Sequence, residues 1–252
     1  MKITFLGTGY GYPEKNRDYT AISIETGGCV YLFDAGASIV SKMKKYCINI
    51  ENLKSVFVTH IHSDHLNGLI SLVDILNCLK AKKDAAVKYY LPEKRGIDAV
   101  KNFVCALSGR ENECNTSFYI YSCGTVYDDG NLKVSAVPTH HLEKRGGYPS
   151  YAFVAEAEGK CFIFSGDLCG ELDSEEILDV IKNKKSDLFV CELSHFTPDD
   201  LLPHLKGCLA DRVYINHIRY TDEWIPIIEK ENQSTGFTFP IVVASDGDTV
   251  EL

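Results

Sequence analysis

The chain predicts an α/β fold, because short β-branched runs alternate with helical patterns along its length and because its two halves resemble each other. Its 252 residues, 45% hydrophobic and 24% charged, suit a globular protein with a sizeable core. No Pro/Gly/Ser-rich linker or low-complexity tract interrupts it, so residues 1–252 are expected to form a single domain.

Taken in order, the N-terminal run Ile3-Thr4-Phe5-Leu6 reads as a first strand leading into the turn Gly7-Thr8-Gly9. Further strands are predicted over 21–24, 30–33, 55–58, 87–91, 132–137, 151–155, 161–164, 188–190, 213–215 and Ile241–Val243. Between them lie helical patterns at 38–46, 67–80, 93–107, 174–182, 198–209 and 222–231. Two of these helices carry N-terminal signals, a capping residue or proline followed by acids: Asp173-Ser174-Glu175-Glu176 and Thr197-Pro198-Asp199-Asp200.

The halves echo one another at two places. Val30-Tyr31-Leu32-Phe33-Asp34-Ala35-Gly36 resembles Cys161-Phe162-Ile163-Phe164-Ser165-Gly166-Asp167. Lys54-Ser55-Val56-Phe57-Val58-Thr59-His60-Ile61 resembles Arg212-Val213-Tyr214-Ile215-Asn216-His217-Ile218. Two related strand–helix halves meeting at a shared site would produce this pattern.

Composition excludes some classes. The net charge of −9 argues against a broad surface tracking nucleic-acid phosphates, which rests on clustered Lys and Arg. No window of about 18 apolar residues exists, and the N-terminal run lacks a signal-peptide cleavage pattern. A cytoplasmic protein without a membrane segment is the expectation. Most of the ten cysteines sit in apolar runs, with no C-x-x-C pair, and read as reduced, buried small hydrophobes. The spacing of Cys105, Cys114 and Cys123 has no physical account.

The most informative stretch is His60-Ile61-His62-Ser63-Asp64-His65, which packs three imidazoles and a carboxylate into six residues directly after an apolar strand. A loop leaving a strand end is where a rigid scaffold aims several side chains at one point. Neutral imidazole and carboxylate are ligands for zinc, iron and manganese, so the stretch predicts a metal site. His140-His141, Asp167 and His217 likewise follow or end predicted strands.

Together, His60-Ile61-His62-Ser63-Asp64-His65, Pro138-Thr139-His140-His141, Ser165-Gly166-Asp167 and Asn216-His217-Ile218 resemble, in order and separation, the metallo-β-lactamase fold superfamily of metal-dependent hydrolases. The resemblance spans essentially the whole chain. It implies a four-layer αββα sandwich with the metals between the two sheets. It also implies that His60, His62 and His141 hold one metal, that Asp64, His65 and His217 hold the other, and that Asp167 bridges them. His140 and His141 compete for one position; the family's spacing of three after the proline selects His141. Asp34 either orients a ligand imidazole or caps its turn.

The ligand set implies two divalent ions, with zinc first and manganese or iron close behind. Two such ions about 3.5–4 Å apart can share a water and lower its pKa toward neutrality, giving a bridging hydroxide that attacks carbon or phosphorus. Asp64 is expected to serve as ligand and as proton acceptor.

For the substrate, Pro13-Glu14-Lys15-Asn16-Arg17-Asp18 is similar to the P-x-K-x-R-N loop of the tRNase Z-like branch, with Asp18 in place of its Asn. Lys15 and Arg17 would suit a phosphate. His195-Phe196-Thr197 resembles the H-x-T segment of phosphodiesterases in this superfamily, which casts His195 as a transition-state stabiliser or proton donor. His217-Ile218-Arg219-Tyr220 is similar to that branch's basic-aromatic tail. A Gly- and Lys-rich tRNA-clamping insertion is missing from the sequence, which argues against tRNA binding. The reading is therefore a phosphodiesterase for a small or cyclic phosphodiester. Its rivals are a lactone or thioester hydrolase on the same site and a non-catalytic metal-binding protein. A redox enzyme of this fold would carry an acid in place of His62. A homo-oligomer is compatible with all of these.

Overall fold

The computed structural model describes residues 1–78, 87–108, 117–143, 146–233 and 236–252. Two seven-stranded sheets face one another. The first runs β14 (Thr249–Glu251), β1 (Lys2–Gly7), β2 (Ala21–Thr26), β3 (Cys29–Phe33), β4 (Leu53–Phe57), β5 (Lys88–Leu91) and β6 (Ser117–Ile120). The second runs β13 (Ile241–Val243), β12 (Val213–Ile218), β11 (Leu188–Leu193), β10 (Lys160–Phe164), β9 (Ser150–Ala157), β8 (Lys133–Thr139) and β7 (Gly124–Asp128). Helices α1 (Ile39–Lys45), α2 (Ser63–Cys78) and α3 (Lys94–Ser108) follow strands of the first sheet. Helices α4 (Glu176–Asn183), α5 (Pro198–Leu205) and α6 (Thr221–Gln233) follow strands of the second.

Side-chain alternation builds the layers. In β3, Tyr31 and Phe33 enter the core between the sheets, while Val30 and Leu32 face the helical side with Ile39, Met43, Leu69 and Val100. In β10, Phe162 and Phe164 point between the sheets, and Cys161 and Ile163 face Ile177, Leu201 and Trp224. Phe33 packs against Phe57, Phe153 and Phe162 at centroid distances of 5.2, 5.6 and 5.7 Å. Burying each such ring contributes about 1.5–3 kcal/mol. The architecture is the expected αββα sandwich.

The two sheets repeat strand for strand. From β14 to β6 the pairings are antiparallel three times and then parallel three times. From β7 to β13 the same series recurs. The likeness of 30–36 to 161–167 therefore joins equivalent strands, β3 and β10. The second likeness does not: β4 occupies the place of β11, whereas 212–218 forms β12, the counterpart of β5. Apolar parallel strands followed by a histidine look alike whichever position they fill.

Other departures are local. Strands β6, β7 and β14 were not expected, and β14 is a three-residue strand secured by its pairing with β1. The helix predicted at 67–80 begins at Ser63, inside the histidine motif, and its final residues lie outside the described ones. The helix predicted to reach 209 stops at Leu205, two residues before Gly207 adopts φ 83°. Cys161, Cys191 and Cys208 are buried and Cys47 and Cys123 exposed, while Cys114 lies outside the described residues.

Among the described residues no helix is long and apolar enough to cross a membrane.

Candidate metal centre

Strands β1, β3, β4, β8, β10, β11 and β12 end at one rim of the sandwich, and the residues that follow or close them form the site. His60 and His62 follow β4, His141 follows β8, Asp167 follows β10, and His217 lies near the end of β12. Asp64 and His65 occupy the first turn of α2. That turn is stitched to the segment after β3: Ala35 N–H donates to the His65 carbonyl at 2.8 Å, and Gly68 N–H donates to the Ala35 carbonyl at 2.8 Å. No side chain fits in this contact, since a Cβ at Gly68 would lie 2.0 Å from the Gly36 carbonyl oxygen.

His217 reaches the site through a backbone irregularity. Glu192 pairs with Asn216 and Leu193 with Ile218, so His217 is an extra residue in the ladder, and its φ is 45°. Bulges of this kind re-aim a side chain and concentrate beside active sites.

Every predicted ligand is brought together at one rim. His60, His62, His141 and Asp167 form one group, Asp64, His65 and His217 a second, and His195 makes a third with Asp167 and His217. Asp167 lies between them. Its Oδ2 is 3.7 Å from both His60 Nε2 and His141 Nε2, and its Oδ1 is 3.3 Å from His65 Nε2 and 3.5 Å from His217 Nδ1. His62 Nδ1 lies 2.9 Å from His60 Nε2 and 3.2 Å from His141 Nε2. His141, rather than His140, enters the cluster.

The donor set fits metal ions. His65 Nε2 and Asp167 Oδ1 are buried without a hydrogen-bond partner and face one another across 3.3 Å, a gap that a cation would fill. Three imidazole nitrogens converge at separations close to the roughly 3.3 Å edge of a tetrahedral zinc–nitrogen site. Electrostatics divides the groups. Burial, with His65 nearby, pushes His60 well below the ordinary histidine range, and burial brings His141 down to about 4, so both are neutral lone-pair donors. Burial opposes a proton on His217 too, but Asp167, the bond to Asp64 and the nearby Glu192 carboxylate outweigh it and raise it to about 10. Metal binding would displace such protons.

Two buried carboxylates hold imidazoles from behind. Asp34, at φ 58°, accepts Thr59 N–H at 2.7 Å and lies 2.7 Å from His65 Nδ1, as expected of a residue that orients a ligand. Glu192, which the sequence reading missed, does the same for His195: its Oε1 lies 2.8 Å from His195 Nδ1. It also accepts N–H bonds from Leu168 and Ser194, and Ser194 Oγ bonds His217 Nδ1 at 2.8 Å. The available signal was an acid directly after the apolar run Leu188-Phe189-Val190-Cys191, three residues before a histidine.

His195 stands beside the cluster, 29% exposed, its ring 4.5 Å from that of His141 and its Nε2 4.0 Å from Asp167 Oδ2. With His140, His141, Cys169 and Ser174 it lines a cleft of about 470 Å³. The loop after β1 covers the opposite side, where a Cβ at Gly11 would lie 3.3 Å from Asp64 Oδ2. Arg17 does not stand free on this loop, since its Nη1 donates to Thr8 Oγ1 and to the Ala244 carbonyl, both at 2.6 Å. Asp246 accepts from Thr8, Asp18 and Lys42, and Glu14 accepts from Thr221. Lys15 is exposed.

Fold and site define a metallo-β-lactamase fold protein with a His/Asp cluster suited to metal, similar in sequence to ribonuclease Z proteins. The profile of the family described as "Anti-Pycsar protein Apyc1" matches residues 1–238, and the chain belongs to that family. It is 32% identical over 157 residues to ribonuclease Z of Methanocaldococcus jannaschii, covering 61% of this chain and 47% of that protein. The chain spans about half the length of the curated relatives it matches. Among solved structures it superposes on the short form of human tRNase Z with a TM-score of 0.77, at 21% identity over 100% of this chain and 99% of the other. It superposes on a diphosphatase of the PhnP family with a TM-score of 0.71, at 17% identity over 100% and 97%.

Proposed function

We propose that this chain is a binuclear metal-dependent hydrolase, a phosphodiesterase acting on a small or cyclic phosphodiester. One observation carries the reading: His195, backed by Glu192, faces the cleft beside Asp167, where a leaving oxygen can be reached. In support, relatives are named ribonucleases and a structural neighbour is described as a diphosphatase. The anti-Pycsar role named for the family is the setting in which we place this hydrolysis.

His60, His62 and His141 would hold one ion and Asp64, His65 and His217 the other, with Asp167 offering one oxygen to each. Zinc suits this nitrogen-rich set. Bound there, the ions would acidify water toward neutrality and offset charge growing on the phosphoryl oxygens.

The side chains do the remaining work. Burial disfavours a proton on His195, but Glu192 and Asp167 outweigh it and raise its pKa. With Nδ1–H held by Glu192, the proton on Nε2 is the one donated to the departing oxygen. Asp64, despite burial, is lowered to about 2 by His65 and His217, so it stays a carboxylate suited to hold an ion and to accept a hydrogen bond, and a weak base. We assign phosphate contact to Lys15 on the site loop and, to Arg17, the task of fixing that loop against Ala244.

The test is turnover by purified, metal-analysed protein of bis(p-nitrophenyl) phosphate and cyclic nucleotides, with lactone and thioester panels alongside. Cleavage of both diesters abolished by His62→Ala, and of the cyclic nucleotides strongly reduced by His195→Ala, is expected. Bound metal with lactone or thioester turnover alone would replace the phosphodiesterase reading. Bound metal without turnover on any substrate would leave a metal-binding protein.

A further inference from the structure

Glu175 is 2% exposed and stands at the start of α4, yet its carboxylate caps nothing in its own helix. It turns toward the metal centre instead. Oε1 accepts Cys169 N–H at 2.6 Å and His140 N–H at 3.2 Å, and Oε2 accepts His140 N–H at 3.1 Å. A buried carboxylate is costly unless such charge-assisted bonds satisfy it, and these are among the stronger hydrogen bonds available to a protein.

The two segments it grips are those that matter. His140 immediately precedes His141, and Cys169 lies two residues beyond Asp167. They follow β8 and β10, which do not pair with one another because β9 runs between them. Both strands ladder to β9, but the pairing ends at Thr139 and Phe164, so no ladder reaches His141 or Asp167 themselves. A second contact follows from the grip. The Leu168 carbonyl lies 3.3 Å from His141 Nδ1 and can only accept, so the bond requires Nδ1–H and leaves the Nε2 lone pair facing the cluster. Leu168 N–H is held by Glu192 at 2.8 Å, so this short segment is anchored by two buried carboxylates from different elements.

We propose that Glu175 is a positioning residue: it sets the separation of His141 from Asp167 and, through the Leu168 carbonyl, the tautomer of His141, and thereby tunes one of the two metal groups. The inference rests on the metal-dependent reading above. Glu175→Gln keeps the shape but removes the charge, and with its oxygen left on Cys169 it turns an amide NH₂ toward His140 N–H, so it weakens the grip without opening a cavity.

The test combines zinc titration of the metal-stripped protein against a chromogenic chelator, nitrogen-15 NMR of the histidine tautomers before zinc is added, and a thermal melt. Expected for Glu175→Gln is a loss of about 10–100-fold in affinity at one site, wild-type affinity at the other, and departure of His141 from the Nδ1–H form. Two unchanged sites with an unchanged tautomer would overturn the proposal. So would parallel weakening of both sites with a falling melting temperature, the result of a merely structural role. If the wild type binds no zinc, the metal reading fails, while the tautomer comparison still decides what Glu175 does. Should the Gln variant not fold, Glu175→Asp, which keeps the charge but shortens the reach, carries the same measurements.

Discussion

The two sheets have the same strand pattern, and each places a buried carboxylate and a hydroxyl behind an imidazole, but the imidazoles are used differently. In the first half Asp34 and Thr59 hold His65, which is fully buried among other ligands. In the second half Glu192 and Ser194 hold His195, which opens onto the cleft. Asp34 and Glu192 are 0% and 1% exposed, so the braces are equally dry. What differs is the far side of the ring. On the function proposed above, the same device would fix a ligand in one half and present a proton donor in the other.

The largest effect should come from the first brace. Asp34→Ala strands the Thr59 N–H and frees His65 to rotate, so stability should fall by about 3 kcal/mol and zinc affinity at the Asp64/His65/His217 group by about 10–100-fold. Thermal melts and chelator competition read both, and equal metal loss in Glu192→Gln would erase the contrast between the halves. A kinetic test sharpens it further. His195→Ala should lower kcat by about 10²–10⁴-fold on a diester with an alkyl leaving group, and far less on a p-nitrophenyl diester, whose phenolate departs without a proton. Equal losses on both would remove the proton-donor role.

The smallest effect lies on the seam between the halves. Asp129, in the β7–β8 turn, accepts from the hydroxyls of Tyr31 in the first sheet and Tyr127 in the second at 2.7 and 2.8 Å. Burial acts to raise the Asp129 pKa, but the Tyr31, Leu132 and Tyr127 bonds outweigh it and lower it. A carboxylate depressed on folding adds stability above its unfolded pKa and loses that contribution as pH falls through the folded value. Asp129 is exposed and solvent screens its charge, so Asp129→Asn should cost less than about 1 kcal/mol at neutral pH. The gap should close on acidification below about pH 4. A pH-independent difference would show that the tyrosine bonds do not need the charge.

The candidate metal cluster was legible because six neighbouring residues supply four of its members and the rest follow or close apolar strands. The inter-sheet core was legible from alternation, as at Tyr31 and Phe33 in β3. What stayed hidden were acids whose partners are remote in sequence. Glu192 reads as an irregularity in a core strand and Glu175 as a helix-starting acid. Asp246, anchoring Thr8 and Asp18 from 238 and 228 residues away, resembles any polar residue near a turn. Arg17 shows the reverse, a residue whose type suggests phosphate while its Nη1 is bonded to Thr8 and Ala244. Local pattern reveals side chains that act as a cluster, whereas pairings made across the fold leave no spacing to read.

The glycine contact beneath α2 has a consequence for ion preference. With the Gly68 position pressed onto the Gly36 carbonyl, the helix bearing Asp64 and His65 cannot settle closer to β3 or tilt toward it. Asp64 and His65 thus form a rigid jaw whose gauge is fixed by backbone van der Waals radii. On the metal-dependent reading, a larger ion would be accommodated by the opposite jaw, through the turn bearing His141 and the bulge bearing His217. The permitted ionic radius would then be set by the pliancy of the second half.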